Sequence, residues 1–188
     1  MKRSALVALV AFTGLSSPGN RPNHAPQTVV LVEPVLVSGD AAPLFSLTSM
    51  DSSEVRLEAV LAENTAVAIK FWATWCPMCW IELFELSEGY EALQTQGIEV
   101  LAVAVDLAEN VETFLEGQTV ECPVLLDETS EIAKQFGISA LPTTVLVDST
   151  GKVINIHVGL IPDLNKHLSK LLSEPLGSGP NRSKSVEN

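Results

Sequence analysis

One stretch limits what this chain can become: Phe71-Trp72-Ala73-Thr74-Trp75-Cys76-Pro77-Met78-Cys79. A run of small and β-branched residues from Thr65 to Phe71 leads into it, and a helical pattern from Trp80 to Gln96 leads out. The pattern predicts a buried strand, a tight corner carrying two cysteines, then a long helix. Cysteines three apart at a helix start lie on one face, with their β-carbons within disulfide reach. Such a pair can close or open without rebuilding the backbone. The partial positive charge and free N–H groups of a helix N-terminus favour a thiolate on Cys76. Pro77 suits the first turn, where a missing N–H costs nothing. A permanent bridge over so short a loop adds little stability, which weighs against a static disulfide or an inert pair. The features describe a redox-active dithiol: Cys76 attacks a partner disulfide, and Cys79 resolves the mixed disulfide from within.

The rest of the chain supplies a fold for that corner. Its 188 residues, 46% of them hydrophobic, suffice for one well-cored domain plus tails. A net charge of −12 argues against nucleic acid or an anionic membrane as the main partner, since both repel an acidic surface. Met1-Lys2-Arg3 followed by an apolar Ala5 to Leu15 resembles a targeting segment. Residues 1–16 are therefore expected to be a signal peptide or anchor, and export to a disulfide-permissive compartment is the expected fate. Residues 17–37 follow as a linker or extended lead-in, 38–173 as the folded domain, and 174–188 as a disordered tail.

Just before the domain, Thr28 to Val37 could be an added edge strand or an extended lead-in. Leu44–Leu47 and Glu54–Leu57 suit a hairpin, and Leu57–Glu63 a short helix. Thr65–Ala73 reads as a central strand, apolar except for Lys70. Trp80–Gln96 reads as one helix, with Ile81, Phe84, Leu86, Tyr90 and Leu93 as its apolar positions and Gly97 as its stop. Ile98–Val105 and Val120–Leu126 read as strands, Asn110–Glu116 and Ser130–Phe136 as helices. Thr143–Val147 and Val153–Val158 form a second hairpin, and Ile161–Leu172 a final helix. Strands separated by helices predict an α/β fold with a mixed central sheet and helices on both faces.

Trp72-Ala73-Thr74-Trp75-Cys76-Pro77-Met78-Cys79 resembles the active-site corner of thioredoxin-fold proteins, most closely the extracytoplasmic thiol–disulfide oxidoreductases of the TlpA/ResA type. Leu141-Pro142-Thr143-Thr144 resembles that family's cis-proline loop. Gly39-Asp40-Ala41-Ala42-Pro43-Leu44-Phe45-Ser46-Leu47 resembles its first strand, and the likeness runs from about Ser38 to Ser173. The resemblance implies a thioredoxin-like fold with an N-terminal β-hairpin extension. It implies that Pro142 is cis and faces the dithiol, so that the Leu141 backbone meets a substrate peptide. It also implies that Glu82, three residues past Cys79, approaches the site and exchanges protons with the resolving thiol. Trp75 is expected to shield Cys76 and contact partners, Pro77 and Met78 to tune the potential and meet the substrate, while Trp72 packs in the core.

The sequence departs from the family at two places. Pro77 stands at the first intervening position, where many members carry proline at the second, and the direction of electron flow stays open. Lys70 lies six residues before Cys76, where thioredoxins carry aspartate. It either snorkels outward or pairs internally, and Glu82 is the expected partner. Cys122 is expected to be an inert buried thiol.

Cys76, Met78 and Cys79 are soft enough to hold Cu(I), so a copper- or client-binding module without turnover is the alternative. The spacing of the histidines argues against it, because His24, His157 and His167 all lie far from the motif in sequence. Thr74 lies two residues before Cys76 rather than three, which argues against a peroxiredoxin. The expectation is an exported, monomeric thiol–disulfide oxidoreductase with no cofactor. Protein disulfides or dithiols are its clients and an upstream donor supplies electrons. The resemblance makes reduction, including support of cytochrome c maturation, the expected direction.

Overall fold

A computed structural model describes residues 36–173. The elements in chain order are β1 (Ser46–Ser49), β2 (Glu54–Arg56), α1 (Leu57–Glu63), β3 (Ala66–Trp72), α2 (Pro77–Glu88), α3 (Tyr90–Gln94) and β4 (Ile98–Ala104). They continue with α4 (Ala108–Leu115), β5 (Val124–Leu126), α5 (Glu131–Gln135), β6 (Thr143–Asp148), β7 (Val153–Val158) and α6 (Leu164–Ser173). The strands form one seven-stranded sheet in the order β2-β1-β5-β4-β3-β6-β7. β3, β4 and β5 run parallel, while β6, β7 and the β1–β2 hairpin add antiparallel pairs. The sheet is therefore mixed, as the alternation of strands and helices predicts.

β3 sits near the middle of the sheet, and all seven of its residues are buried. Its pleat sends side chains alternately to two cores. Ala66, Ala68 and Trp72 join Cys76, Cys79, Leu83, Leu86, Val111, Leu164 and Leu168 on the face covered by α2, α4 and α6. Val67, Ile69 and Phe71 join Leu57, Leu61, Ile132 and Phe136 on the face covered by α1 and α5. Lys70 has the parity of the first set. Its register partners are Ala102 on β4 and Thr144 on β6.

Several element boundaries differ from the sequence expectation, each for a local reason. The long helix starts at Pro77 and breaks at Gly89, so Trp80–Gln96 is two helices. A Cβ at Gly89 would land on the Asn165 side chain, whose Nδ2 donates to the Glu85 carbonyl at 2.6 Å. Ile81 is exposed, and Glu82 takes the buried position beside Leu83. The strand expected from Val120 is only Val124–Leu126, since Pro123 has no N–H to donate to a ladder. Cys122 accordingly precedes the strand rather than starting it. The last helix begins at Leu164 rather than Ile161: Pro162 intervenes, Asp163 has φ +54°, and the Ile161 N–H is bonded elsewhere.

Leu36 and Val37 lie outside any strand, and the remainder of the expected Thr28–Val37 strand falls outside the described residues. So do the expected targeting segment, most of the linker, and the tail.

Candidate active site

Cys76 is the N-cap of α2 and Pro77 its first residue, so the dithiol stands at the helix N-terminus. Cys76 and Cys79 form a disulfide with their Cα atoms 5.3 Å apart. The corner is less open than the sequence suggests: Cys76 is 6% exposed, and Cys79 is fully buried. Exposure still ranks the two residues, with Cys76 the outer one. Around it lie side chains that leave apolar surface in water, Trp75 at 67%, Met78 at 48% and Ile81 at 58% exposure. Trp75 is largely exposed, while Trp72 is wholly buried as expected.

The corner is braced from below. Asp106, just past the end of β4, accepts from the Thr74 N–H at 3.1 Å and from the Thr74 hydroxyl at 2.5 Å. The Trp80 indole N–H donates to the Thr74 carbonyl at 2.8 Å. Burial pushes the Asp106 carboxyl upward, but hydrogen bonds from Asn110, Thr74 and the Leu107 N–H outweigh it and hold it below its ordinary value. Asp106 was not singled out from the sequence. The available signal is its place at the carboxyl end of a parallel strand, where sites in α/β sheets gather.

The Leu141–Pro142 peptide bond is cis. β6 starts at Thr143, in register with Phe71 at the end of β3, so the cis bond lies at the edge of the sheet from which the corner springs. The Pro142 carbonyl accepts from the Gly159 N–H at 2.8 Å, which ties this loop to the segment leaving β7.

Lys70 and Glu82 are both fully buried and form an ion pair through Nζ and Oε2. The pairing expected from sequence is present, and Lys70 does not snorkel. Lys70 Nζ also lies 3.4 Å from the Thr144 hydroxyl, and the second Glu82 oxygen accepts from the Ile161 N–H at 2.6 Å. Burial pushes the Lys70 ammonium below its ordinary value, opposed by its hydrogen bond to Glu82 and by the Glu82 charge. The four groups join β3, α2, β6 and the segment before α6 in one polar contact within an otherwise apolar face.

Cys122 is 2% exposed, and burial pushes its thiol up to about 12. Among the described residues, no three His, Cys, Asp or Glu side chains gather to hold a metal ion.

Known proteins resemble this arrangement in sequence and in fold. Residues 38–156 match the AhpC/TSA family. The thiol–disulfide oxidoreductase ResA of Geobacillus thermodenitrificans is 35% identical over 136 residues, covering 71% of this chain and 77% of that protein. ResA of Geobacillus kaustophilus is 33% identical over 136 residues, with the same coverage of 71% and 77%. Among solved structures, a putative thiol:disulfide interchange protein DsbE from Chlorobium tepidum superposes with a TM-score of 0.66 at 28% identity. It covers 73% of this chain and 96% of its own. A helix-capping Cys-x-x-Cys disulfide, a cis-proline at the start of β6 and relatives named for this chemistry converge: the chain belongs to the AhpC/TSA family, within the thioredoxin fold, and is a thiol–disulfide oxidoreductase.

Proposed function

We propose that this protein is an extracytoplasmic reductase of protein disulfides. In its dithiol form the Cys76 thiolate attacks a partner disulfide, forming a Cys76–partner bond and releasing one partner thiolate. Cys79 then gives its proton to Glu82 and attacks the Cys76 sulfur. The mixed disulfide breaks, the partner's second thiolate leaves, and the Cys76–Cys79 disulfide remains. An upstream dithiol restores the reduced form. Cys76 is the attacking sulfur because it is the more accessible of the pair and caps a helix. Glu82 is the proton acceptor because it lies one turn along α2 from Cys79. The exposed faces of Trp75 and Met78, with Pro77 between them and the Leu141–Pro142 loop alongside, would hold an extended partner segment.

The observation that carries this reading is the unequal burial of two bonded sulfurs at a helix N-terminus. Export rests on the basic start and apolar stretch of the sequence. Among the described residues no helix is long and apolar enough to cross a membrane. Support of cytochrome c maturation is the role the family resemblance favours.

The test is turnover with single-cysteine variants. Cys76→Ser should abolish reduction of insulin disulfides, and Cys79→Ser should accumulate mixed disulfides seen on non-reducing gels. A potential of the Cys76/Cys79 couple near about −270 mV fits a reductase, and one near about −120 mV would reverse the direction. Full activity in Cys76→Ser would overturn the assignment. Stoichiometric Cu(I) retained through purification with no turnover would replace it with a metal-binding role.

A further inference from the structure

The pair beneath the dithiol does more than fill the core. We propose that Lys70 is a positioning residue for the resolving step: its buried ammonium holds Glu82 as an ionised carboxylate one turn from Cys79, so that Glu82 stays a base where a lone buried carboxyl would be protonated and idle. This rests on the reading of Glu82 as the acceptor of the Cys79 proton.

Geometry carries the inference. The pleat of β3 places Lys70 on the same face as Cys76, Cys79, Leu83 and Leu86, beneath α2. Both Glu82 oxygens face donors: Oε2 meets the Lys70 ammonium, and Oε1 meets the Ile161 N–H. A carboxylate is an acceptor at both oxygens, whereas a protonated carboxyl would have to aim its own O–H at one of those donors. The contact pattern therefore fits the ionised form. The ammonium is equally constrained. Lys70 is fully buried, so its charge is compensated inside the protein or not at all.

The groups around the pair are few. Glu82 and, farther off, Glu85 are the charges acting on Lys70. β4 presents Ala102 opposite Lys70, β6 presents Thr144, and β7 presents His157 opposite Thr144. From α6, Leu164 and Leu168 join the same cluster, and α2 adds the two cysteines themselves. Among these described groups, Lys70 is the cation bonded to Glu82.

The step balances without another reactant. The Cys79 S–H bond breaks and its proton goes to Glu82. The sulfur forms a bond to Cys76 Sγ, and the Cys76–partner bond breaks with its electron pair on the partner thiolate. The dithiol is oxidised as the partner disulfide is reduced. Without Lys70, no bonded cation would compensate the charge of the fully buried Glu82 carboxylate.

The experiment follows the reduced full chain reacting with 5,5′-dithiobis(2-nitrobenzoate). One thionitrobenzoate is released when Cys76 attacks and the second when Cys79 resolves. The second rate is read against pH as a ratio to the first. In Lys70→Met its acid limb should move to higher pH by about one unit or more, a roughly tenfold loss on the acid side. Glu82→Gln should slow resolution at every pH, and the Lys70→Met/Glu82→Gln double variant should match Glu82→Gln alone. If Glu82→Gln is slow but Lys70→Met keeps the wild-type profile, the Lys70 proposal fails and the Glu82 reading stands. If Glu82→Gln resolves at the wild-type rate, the Glu82 reading itself fails. Should Lys70→Met not fold, the ¹³C resonance of the Glu82 carboxyl in the wild-type dithiol protein decides. A carboxylate signal at neutral pH is expected, and a protonated carboxyl would overturn the proposal.

Discussion

At the residue scale, the three cysteines separate by surroundings rather than by type. Cys76 caps a helix and keeps a small exposed fraction, Cys79 is fully buried, and Cys122 lies buried in the same apolar cluster. Only a thiolate attacks, and the Cys122 thiol is raised to about 12, so it stays protonated across the physiological range. Iodoacetamide added to the reduced native protein at neutral pH should therefore label Cys76 and spare Cys122. Peptide mass mapping checks this, and Cys122 should be modified only after denaturation. Rapid native labelling of Cys122 would mean that its packing opens far more often than its burial implies.

At the element scale, the site is a corner held by its neighbours. Asp106 ties the turn from β3 into α2 to the start of α4: it accepts from the Thr74 N–H and hydroxyl on one side and from the Leu107 N–H and the Asn110 side-chain amide on the other. Asp106→Ala should destabilise the fold by about 1–2 kcal/mol, since several hydrogen bonds to one charge are lost while water replaces part of them. Its pH dependence has a definite sign. The folded carboxyl sits below its ordinary value, so its contribution is complete above the unfolded carboxylate range. That contribution is lost as pH falls through the folded value. Urea unfolding of wild type and variant should differ at neutral pH and converge in acid. A constant difference at all pH values would show that the charge of Asp106 is irrelevant to the brace.

At the scale of the whole molecule, the sheet brings the corner, the cis-proline loop and the segment after β7 to one edge. Among the described residues, the two cores on either side of β3 draw their buried members from Ala42 to Leu168. At the N-terminal side of the described residues, Gly39 and Ala42 donate to the Val153 and Gly151 carbonyls. A protein trimmed to residues 36–173 should therefore fold cooperatively and keep thiol–disulfide exchange within about twofold of the full chain. Thermal unfolding and insulin turnover measure this. Loss of cooperative unfolding would show that the N-terminal stretch or the tail completes a core.

The sequence by itself determined the dithiol, its place at a helix start, and the alternation that builds a mixed sheet. Each depends on chain neighbours: a cysteine spacing of three, a proline at a first turn, apolar runs of strand length. It also placed Lys70 and Glu82 as candidate partners, because a single charge in an apolar strand needs compensation. Only the tertiary structure decided that Glu82 rather than Ile81 takes the core position on α2, since the ammonium across the interface makes a carboxylate the better occupant. Only it split the long helix at Gly89, where Asn165 of a distant helix leaves no room for a side chain. Asp106 stayed hidden for the same reason. Its partner Thr74 is 32 residues away, and the parallel pairing of β3 with β4 is what brings the two together.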